Sequence, residues 1–149
     1  MLSGAMREEE KLAYEMLLHR WFEEVWNQGR ENTIDELLAE DFVTHGLSDP
    51  AGVAVRGPTS FKPFYRQFRA AFPDIHFFVE DSFVSGDKIF ARCRITASHT
   101  GPGITPSPTN KRVDFTGMCL VRVQDGKFIE AWNNFDFLLL YQQLGIQLR

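Results

Sequence analysis

The sequence lacks the features that mark several large classes of protein. It has only two cysteines, Cys93 and Cys119, and neither belongs to a CxxC or Cys/His spacing that would hold a metal ion. It contains no P-loop, GxSxG, HExxH or GxGxxG motif, which disfavours a metal-dependent or nucleotide-dependent enzyme. We therefore expect neither a metal ion nor a cofactor.

Clusters of positive charge and long apolar runs are also missing. The net charge is −4, and lysine and arginine are scattered along the chain, so neither nucleic acid nor an anionic membrane is an expected partner. No apolar stretch has the length of a membrane span, and Met1–Glu10 lacks the apolar core of a secretory signal. We expect a cytoplasmic protein, in which Cys93 and Cys119 are buried free thiols; a cross-strand disulfide is the alternative.

Apolar residues, in contrast, are plentiful. They make up 44% of the chain and include 14 phenylalanines, enough to pack a core or to line a cavity. The length of 149 residues suits one domain over residues 1–149, of which residues 1–7 are predicted to be a flexible tail.

The first half of the chain predicts three helices. The first covers Glu8–Asn27 and the second covers Thr33–Glu40, where Thr33 and Glu36 have the spacing of a capping box. In the third, aromatic residues recur at helical spacing and Pro63 is placed in the first turn, where proline is tolerated. Between the second and third helices we expect a short extended piece and a loop; these cover Asp41–His45 and Leu47–Gly57.

The second half alternates with a period of two residues, which predicts strands. These predicted strands, separated by glycine-containing turns or by a loop, cover Ile75–Val84, Lys88–His99, Lys111–Val123 and Lys127–Phe137. Helices followed by an antiparallel meander indicate an α+β fold, in which the N-terminal helices cover the apolar face of the sheet.

Two histidines have positions that suit a pocket. His99 shares the apolar face of its strand and stands at the strand end, where it either shuttles protons at a pocket rim or bonds a loop carbonyl. His45 ends the short extended piece. It is expected either at the mouth of a pocket or on a loop, where it would have no functional role.

The last strand has no cleanly apolar face, so its inward side stays open. Strict alternation puts Glu130, Trp132, Asn134 and Asp136 together on one side. If that side faces inward, the Asp136 carboxylate is poorly solvated and its pKa rises, which suits acid/base chemistry near neutral pH. The alternative is a solvated aspartate or a cap for the following helical turn.

The order and spacing of five segments resemble a known family over about Leu12 to Gly145, namely the SnoaL-like polyketide cyclases of the nuclear transport factor 2-like superfamily. The segments are FEEVWNQG at 22–29, IDELLAEDFVTHG at 34–46, AFPDIHFFVED at 71–81, GDKIFARCRITASHTG at 86–101 and DGKFIEAWNNFDFLLLYQQLG at 125–145. The resemblance implies a cone-shaped α+β barrel, in which a curved antiparallel or mixed sheet wraps around the N-terminal helices. It also implies a homodimer through the sheet.

The resemblance further implies that Trp132 and Asp136 point inward. Asp136 and His99 are then the expected catalytic residues. The expected ligand-binding residues surround them and are His45, Trp132, Asn134, Trp26, Phe64, Phe68 and Phe115.

The implied activity is a cofactor-independent cyclisation or isomerisation of a small apolar or aromatic carbonyl compound, such as the intramolecular aldol condensation of a polyketide. Asp136 would remove a proton alpha to a carbonyl, and His99 or Asn134 would bond the enolate oxygen. A ketosteroid-isomerase-like reaction stays open, whereas no inward arginine supports an epoxide hydrolase. The competing hypotheses are a non-catalytic binder of a small apolar ligand and an interaction module with a vestigial pocket.

Overall fold

The computed structural model describes residues 6–48 and 54–147. The helices are α1 (Glu8–Arg20), which continues as a π-helical segment (Trp21–Asn27), then α2 (Asn32–Leu37), α3 (Gly57–Ala71) and α4 (Phe137–Gln143). The strands are β1 (Leu38–Ser48), β2 (Ala54–Arg56), β3 (His76–Ser85), β4 (Lys88–Ser98), β5 (Arg112–Gln124) and β6 (Lys127–Phe135). Of the predicted tail, residues 1–5 lie outside the described residues.

One six-stranded sheet has the order β2-β1-β6-β5-β4-β3. Strands β3 to β6 form the predicted antiparallel meander, while β1 pairs with β6 in parallel, so the sheet is mixed. The sheet is curved and open, with β2 and β3 at its edges, and the N-terminal helices and α3 cover one face. The predicted α+β fold is thus confirmed. None of the described helices has the length and apolarity needed to cross a membrane.

The first predicted helix is confirmed in its bounds, but its last seven residues form a π-helix. Phe22, Val25 and Trp26 of this segment are buried against the sheet. The side-chain amide of Asn27 makes two hydrogen bonds to the backbone of Phe77 in β3. Its Nδ2 donates to the Phe77 carbonyl at 3.1 Å, and the Phe77 N–H donates to its Oδ1 at 2.7 Å. These bonds fix the end of the segment against the edge of the sheet.

The predicted capping box is wrong. Helix α2 begins at Asn32, so Thr33 lies inside it, and its hydroxyl donates to Glu24 Oε1 at 3.0 Å instead of capping. The carboxylate of Glu36 pairs with Arg20. A hydrogen bond and an ion pair to the preceding helical segments have replaced the local cap. The chain enters β1 at Leu38, two residues before the predicted helix end.

The position predicted for Pro63 is also wrong. Helix α3 begins at Gly57, so Pro58 occupies the first turn and Pro63 lies in the helix interior. The cost is moderated because the carbonyl that loses its donor belongs to Thr59, which is exposed to water. The predicted loop Leu47–Gly57 contains the short strand β2, while its residues 49–53 lie outside the described residues.

Strand β4 follows its predicted alternation closely. Its odd-numbered residues from Ile89 to Ala97 are buried in the core, whereas Arg92 and Arg94 lie on the outer face and pair with carboxylates. Cys93 and Cys119 are both buried and free, as expected. The outer face therefore carries ion pairs, and the inner face supplies one wall of the core.

Candidate functional site

A cavity of about 70 Å³ lies between the helices and the inner face of the sheet. The π-helical segment and α3 form one wall, and strands β1, β5 and β6 form the other. Four of the predicted ligand-binding residues line the cavity, namely Trp26, Phe64 and Phe68 on the helical wall and Phe115 on the strand wall. Their contact with a ligand stays a prediction.

The aromatic rings of the wall pack on one another and keep the cavity small. Ring centroids of Trp26 and Phe77 are 5.2 Å apart, those of Phe64 and Phe68 are 5.0 Å apart, and Phe137 lies 6.1 Å from Phe68. Phe68 is only partly buried, so one side of this ring cluster reaches the surface. The cavity thus offers an aromatic, apolar environment to a ligand.

Few polar side chains interrupt this wall. Thr44, from β1, and Asn133, from β6, face the cavity, and Asn133 Nδ2 donates to Thr44 Oγ1 at 2.8 Å. The Cys119 thiol also faces it, and burial raises the pKa of that thiol. Among the described lining residues, none carries a carboxylate, an imidazole or a cationic group. The interior can bind, but it holds no ready acid or base at neutral pH.

A β-bulge decides which side of β6 faces the cavity. Val123 of β5 pairs with Phe128, but Arg122 pairs with Glu130, so Ile129 is an extra residue in the ladder. Phe128 therefore points into the cavity, while Glu130 points to the outer face although the two share parity. Beyond the bulge the inward residues are Ala131, Asn133 and Phe135.

The expected inward direction of Trp132 and Asn134 is consequently wrong. Trp132 lies on the outer face and stacks on His45, with ring centroids 5.4 Å apart and an interplanar angle of 19°. Asn134 is exposed opposite Met118 of β5, which is exposed as well. Neither side chain lines the cavity.

The expected inward direction of Asp136 is also wrong: the residue lies just beyond the end of β6 and is exposed, which is the helix-cap alternative. Its carboxylate is the N-cap of α4 and accepts a hydrogen bond from the Leu139 N–H at 3.1 Å. The carboxylate does not line the cavity, but the residues on either side, Phe135 and Phe137, both do. Asp136 thus lies at the rim, and its role as a base stays a prediction.

His99 is fully buried away from the cavity wall. Its Nε2 lies 3.0 Å from the carbonyl oxygen of Gly103, and its Nδ1 accepts from the Thr109 N–H at 3.2 Å. The carbonyl can only accept, so Nε2 carries the proton. The ring therefore bonds both sides of the loop after β4, which is the loop-carbonyl alternative considered above.

His45 belongs to a polar cluster on the outer face of the sheet. Its Nε2 lies 2.8 Å from Glu130 Oε2, and Arg122 donates to the other carboxylate oxygen at 2.9 Å. The hydrogen bonds from His45 and Arg122 hold the pKa of Glu130 below its usual value. The sheet separates this cluster from the cavity, so the structure does not bring His45 together with the aromatic wall.

Sequence reasoning missed the cavity's polar pair. Thr44 alternates with the buried Phe42 in β1, and this period of two was the signal that could have identified it. Asn133 gave no such signal, because the bulge reverses the alternation of β6.

Comparison with known proteins identifies relatives of this fold. The model of SnoaL-like polyketide cyclases matches residues 16–144. A candidate polyketide cyclase from Bacillus cereus is 31% identical, with a TM-score of 0.79 over 95% of this chain and 87% of that one. IdmH, a candidate polyketide cyclase from Streptomyces antibioticus, is 27% identical, with a TM-score of 0.76 over 89% of this chain and 98% of that one.

More distant structures share the architecture alone. A Catenulispora acidiphila protein with a ketosteroid isomerase-like fold has a TM-score of 0.70 at 14% identity, over 88% of this chain and 93% of that one. No protein of curated function matches the sequence. The family match begins within α1 and spans the sheet and every described residue of the cavity wall, and the chain belongs to the SnoaL-like polyketide cyclase family.

Proposed function

We propose that the protein binds a small, mainly apolar carbonyl compound in the aromatic cavity and catalyses its cyclisation or isomerisation without a cofactor. The observation that carries the proposal is the cavity itself, whose walls are aromatic rings and whose polar side chains are few. Membership of a polyketide cyclase family supports the reaction type.

In this proposal Asp136 is the base. It lies between two residues of the cavity wall, Phe135 and Phe137, so a ligand that protrudes from the cavity meets its carboxylate at the rim. The carboxylate takes a proton from the carbon alpha to a carbonyl, and the enolate carbon then attacks a second carbonyl of the same molecule. The new alkoxide takes the proton back, so the ring closes with no net change in protons.

A direct catalytic role for His99 has a structural requirement. One of its ring nitrogens must leave its partner in the loop, either Gly103 or Thr109, before it can bond an enolate oxygen. Asn134 in turn must reach round the C-terminal end of β6 from the outer face. We therefore assign the proton transfer to Asp136 and leave enolate binding by His99 or Asn134 as the second part of the proposal.

Replacement of Asp136 by Asn tests the base directly. Asparagine caps a helix as well as aspartate does, so Asp136→Asn removes the base and preserves the start of α4. The assay follows deuterium uptake at the carbon alpha to the carbonyl of 1-tetralone in D₂O by proton NMR. We expect the wild type to accelerate the exchange and the variant to lose roughly 100-fold or more of that acceleration.

The matched control is Asp125→Asn, which changes an exposed carboxylate in the β5–β6 turn, where asparagine tolerates the positive φ of 52°. The control should exchange like the wild type, and all three proteins should unfold at the same temperature. Undiminished exchange in Asp136→Asn would exclude this residue as the base.

A second candidate function is non-catalytic binding of a small apolar ligand. The observation that favours it is the absence of a carboxylate or imidazole among the described lining residues. The same experiment separates the two functions. A binder would take up 1-tetralone, seen as shifted signals of the cavity residues, and leave the exchange rate at that of the buffer.

We further propose that a second copy of this chain is the protein partner and packs on the outer face of the sheet. That face exposes about half of the side chains of Phe78, Phe83 and Met118 to solvent. The molar mass in solution tests this, since a dimer has twice the 17.2 kDa of one chain. We place the protein in the cytoplasm, an assignment supported by its two free thiols.

A further inference from the structure

The hydrogen bonds of Asn133 orient its side-chain amide in one way only. Its Nδ2 donates to the carbonyl oxygen of His45 at 3.0 Å and to Thr44 Oγ1 at 2.8 Å. A carbonyl oxygen cannot donate, so the nitrogen, and not the oxygen, must face His45. Both amide hydrogens are thereby used within the protein.

Two hydrogen-bonding functions remain free on this pair. Asn133 Oδ1 can accept, and the Thr44 hydroxyl, which already accepts from Asn133, can still donate its proton. Neither function has a protein partner among the described residues. Thr44 is only 4% exposed, and both side chains line the cavity, so a bound ligand is the natural partner for them.

An acceptor beside a donor complements a single oxygen that both donates and accepts. We propose that Asn133 and Thr44 recognise a hydroxyl or enol group of the ligand, whose O–H donates to Asn133 Oδ1 and whose oxygen accepts from the Thr44 hydroxyl. The inference rests on the proposed function, because it assumes that the aromatic cavity is the ligand site. It adds the substrate class, which is an aromatic or apolar compound with one enol or hydroxyl at its buried end.

The same geometry disfavours other polar groups. A carboxylate or a simple ether offers no proton to Asn133 Oδ1 and would leave that oxygen unpaired in an apolar site. None of the described lining residues supplies a cation for a carboxylate. For a carbonyl substrate, the pair therefore selects the enol form, which carries the proton that the ketone lacks.

The test compares two ligands that differ in this proton, 2-naphthol and 2-methoxynaphthalene, by isothermal titration calorimetry. The wild type should bind 2-naphthol roughly fivefold or more tightly, because the ether leaves Asn133 Oδ1 without a donor. Asn133→Leu removes Oδ1, the acceptor that distinguishes the two ligands, and it should abolish most of this preference while it still binds the ether. Thr44→Ser keeps the hydroxyl and is the matched control, in which the preference should persist.

The outcomes separate this inference from the proposed function. Equal affinity of the wild type for both ligands would overturn the recognition by Asn133 and Thr44 and leave the cavity as a ligand site. Failure of the wild type to bind either ligand would overturn the ligand site and, with it, the inference. An unfolding temperature of Asn133→Leu close to that of Thr44→Ser would show that the lost preference is not the result of misfolding.

Discussion

His99 is expected to stabilise the fold, and its replacement by alanine measures how much. The buried ring joins the two sides of the loop after β4, through the carbonyl of Gly103 and the N–H and hydroxyl of Thr109. It also packs on Phe72 of α3's C-terminal end, with ring centroids 5.3 Å apart. Alanine removes all of these contacts at once.

The size of the effect follows from the groups left behind. A buried group that loses its hydrogen bond costs about 1–3 kcal/mol, and Gly103 and Thr109 each contain such a backbone group. Both residues are partly exposed, so water recovers some of this and the low end of the range applies. With the cavity left by the ring, we expect a loss of about 3 kcal/mol, or about 10 °C in unfolding temperature for a chain of this length.

Thermal unfolding followed by circular dichroism measures this loss. The control is His19→Ala, because His19 is exposed on α1 and its replacement should leave the unfolding temperature unchanged. Limited proteolysis should also cleave the loop after β4 faster in His99→Ala. If His99→Ala unfolds within about 2 °C of the wild type and yet loses turnover, the reasoning is wrong and the ring acts in catalysis.

Two further predictions concern the surface. Met118→Arg puts a charge at an exposed apolar position of the outer face, so it should convert a dimer into a 17.2 kDa monomer in sedimentation velocity, whereas Leu12→Arg on α1 should not. A persistent Met118→Arg dimer would place the interface elsewhere. Arg66 lowers the pKa of Glu31, and His45 and Arg122 lower that of Glu130, both from 4.5. Their stabilisation is therefore complete above about pH 4.5 and lost as the pH falls through the lowered values, so the urea midpoint should fall below that pH; a flat midpoint down to pH 3 would contradict it.

Most of the fold could be predicted because it depends on local pattern. The alternation of β4 identified its buried face, and helical spacing placed Trp26, Phe64 and Phe68 on the side that meets the sheet. Thr33 was misassigned for a different reason. Its hydroxyl can cap a helix or donate to a carboxylate. It donates to Glu24 of the preceding helical segment, and residue spacing within one segment does not reveal such a contact.

The prediction of the site failed at one extra residue in β6, which the alternation of the sequence does not reveal. Ile129 adds a residue to β6, so the parity that is correct at Phe128 is reversed from Glu130 onward. Both parities of this strand contain polar and apolar residues, which is the signature expected when a strand changes phase in its middle. The expected inward direction of Trp132 and Asn134 was wrong by this one step, and Asn133 was missed by the same step.

The small volume of the cavity means that a ligand can enter only if side chains of the wall move. About 70 Å³ is less than half of the roughly 150 Å³ that holds a benzene molecule in a protein core, and far below the ~300 Å³ of a typical ligand site. A ring-sized ligand therefore has to displace aromatic side chains. Phe68 and Phe137 are two of the partly buried rings of the wall and contact each other, so they can swing toward solvent at lower cost than the buried rings Trp26 and Phe64. Their movement would also open the rim beside Asp136, which couples ligand entry to access to the proposed base.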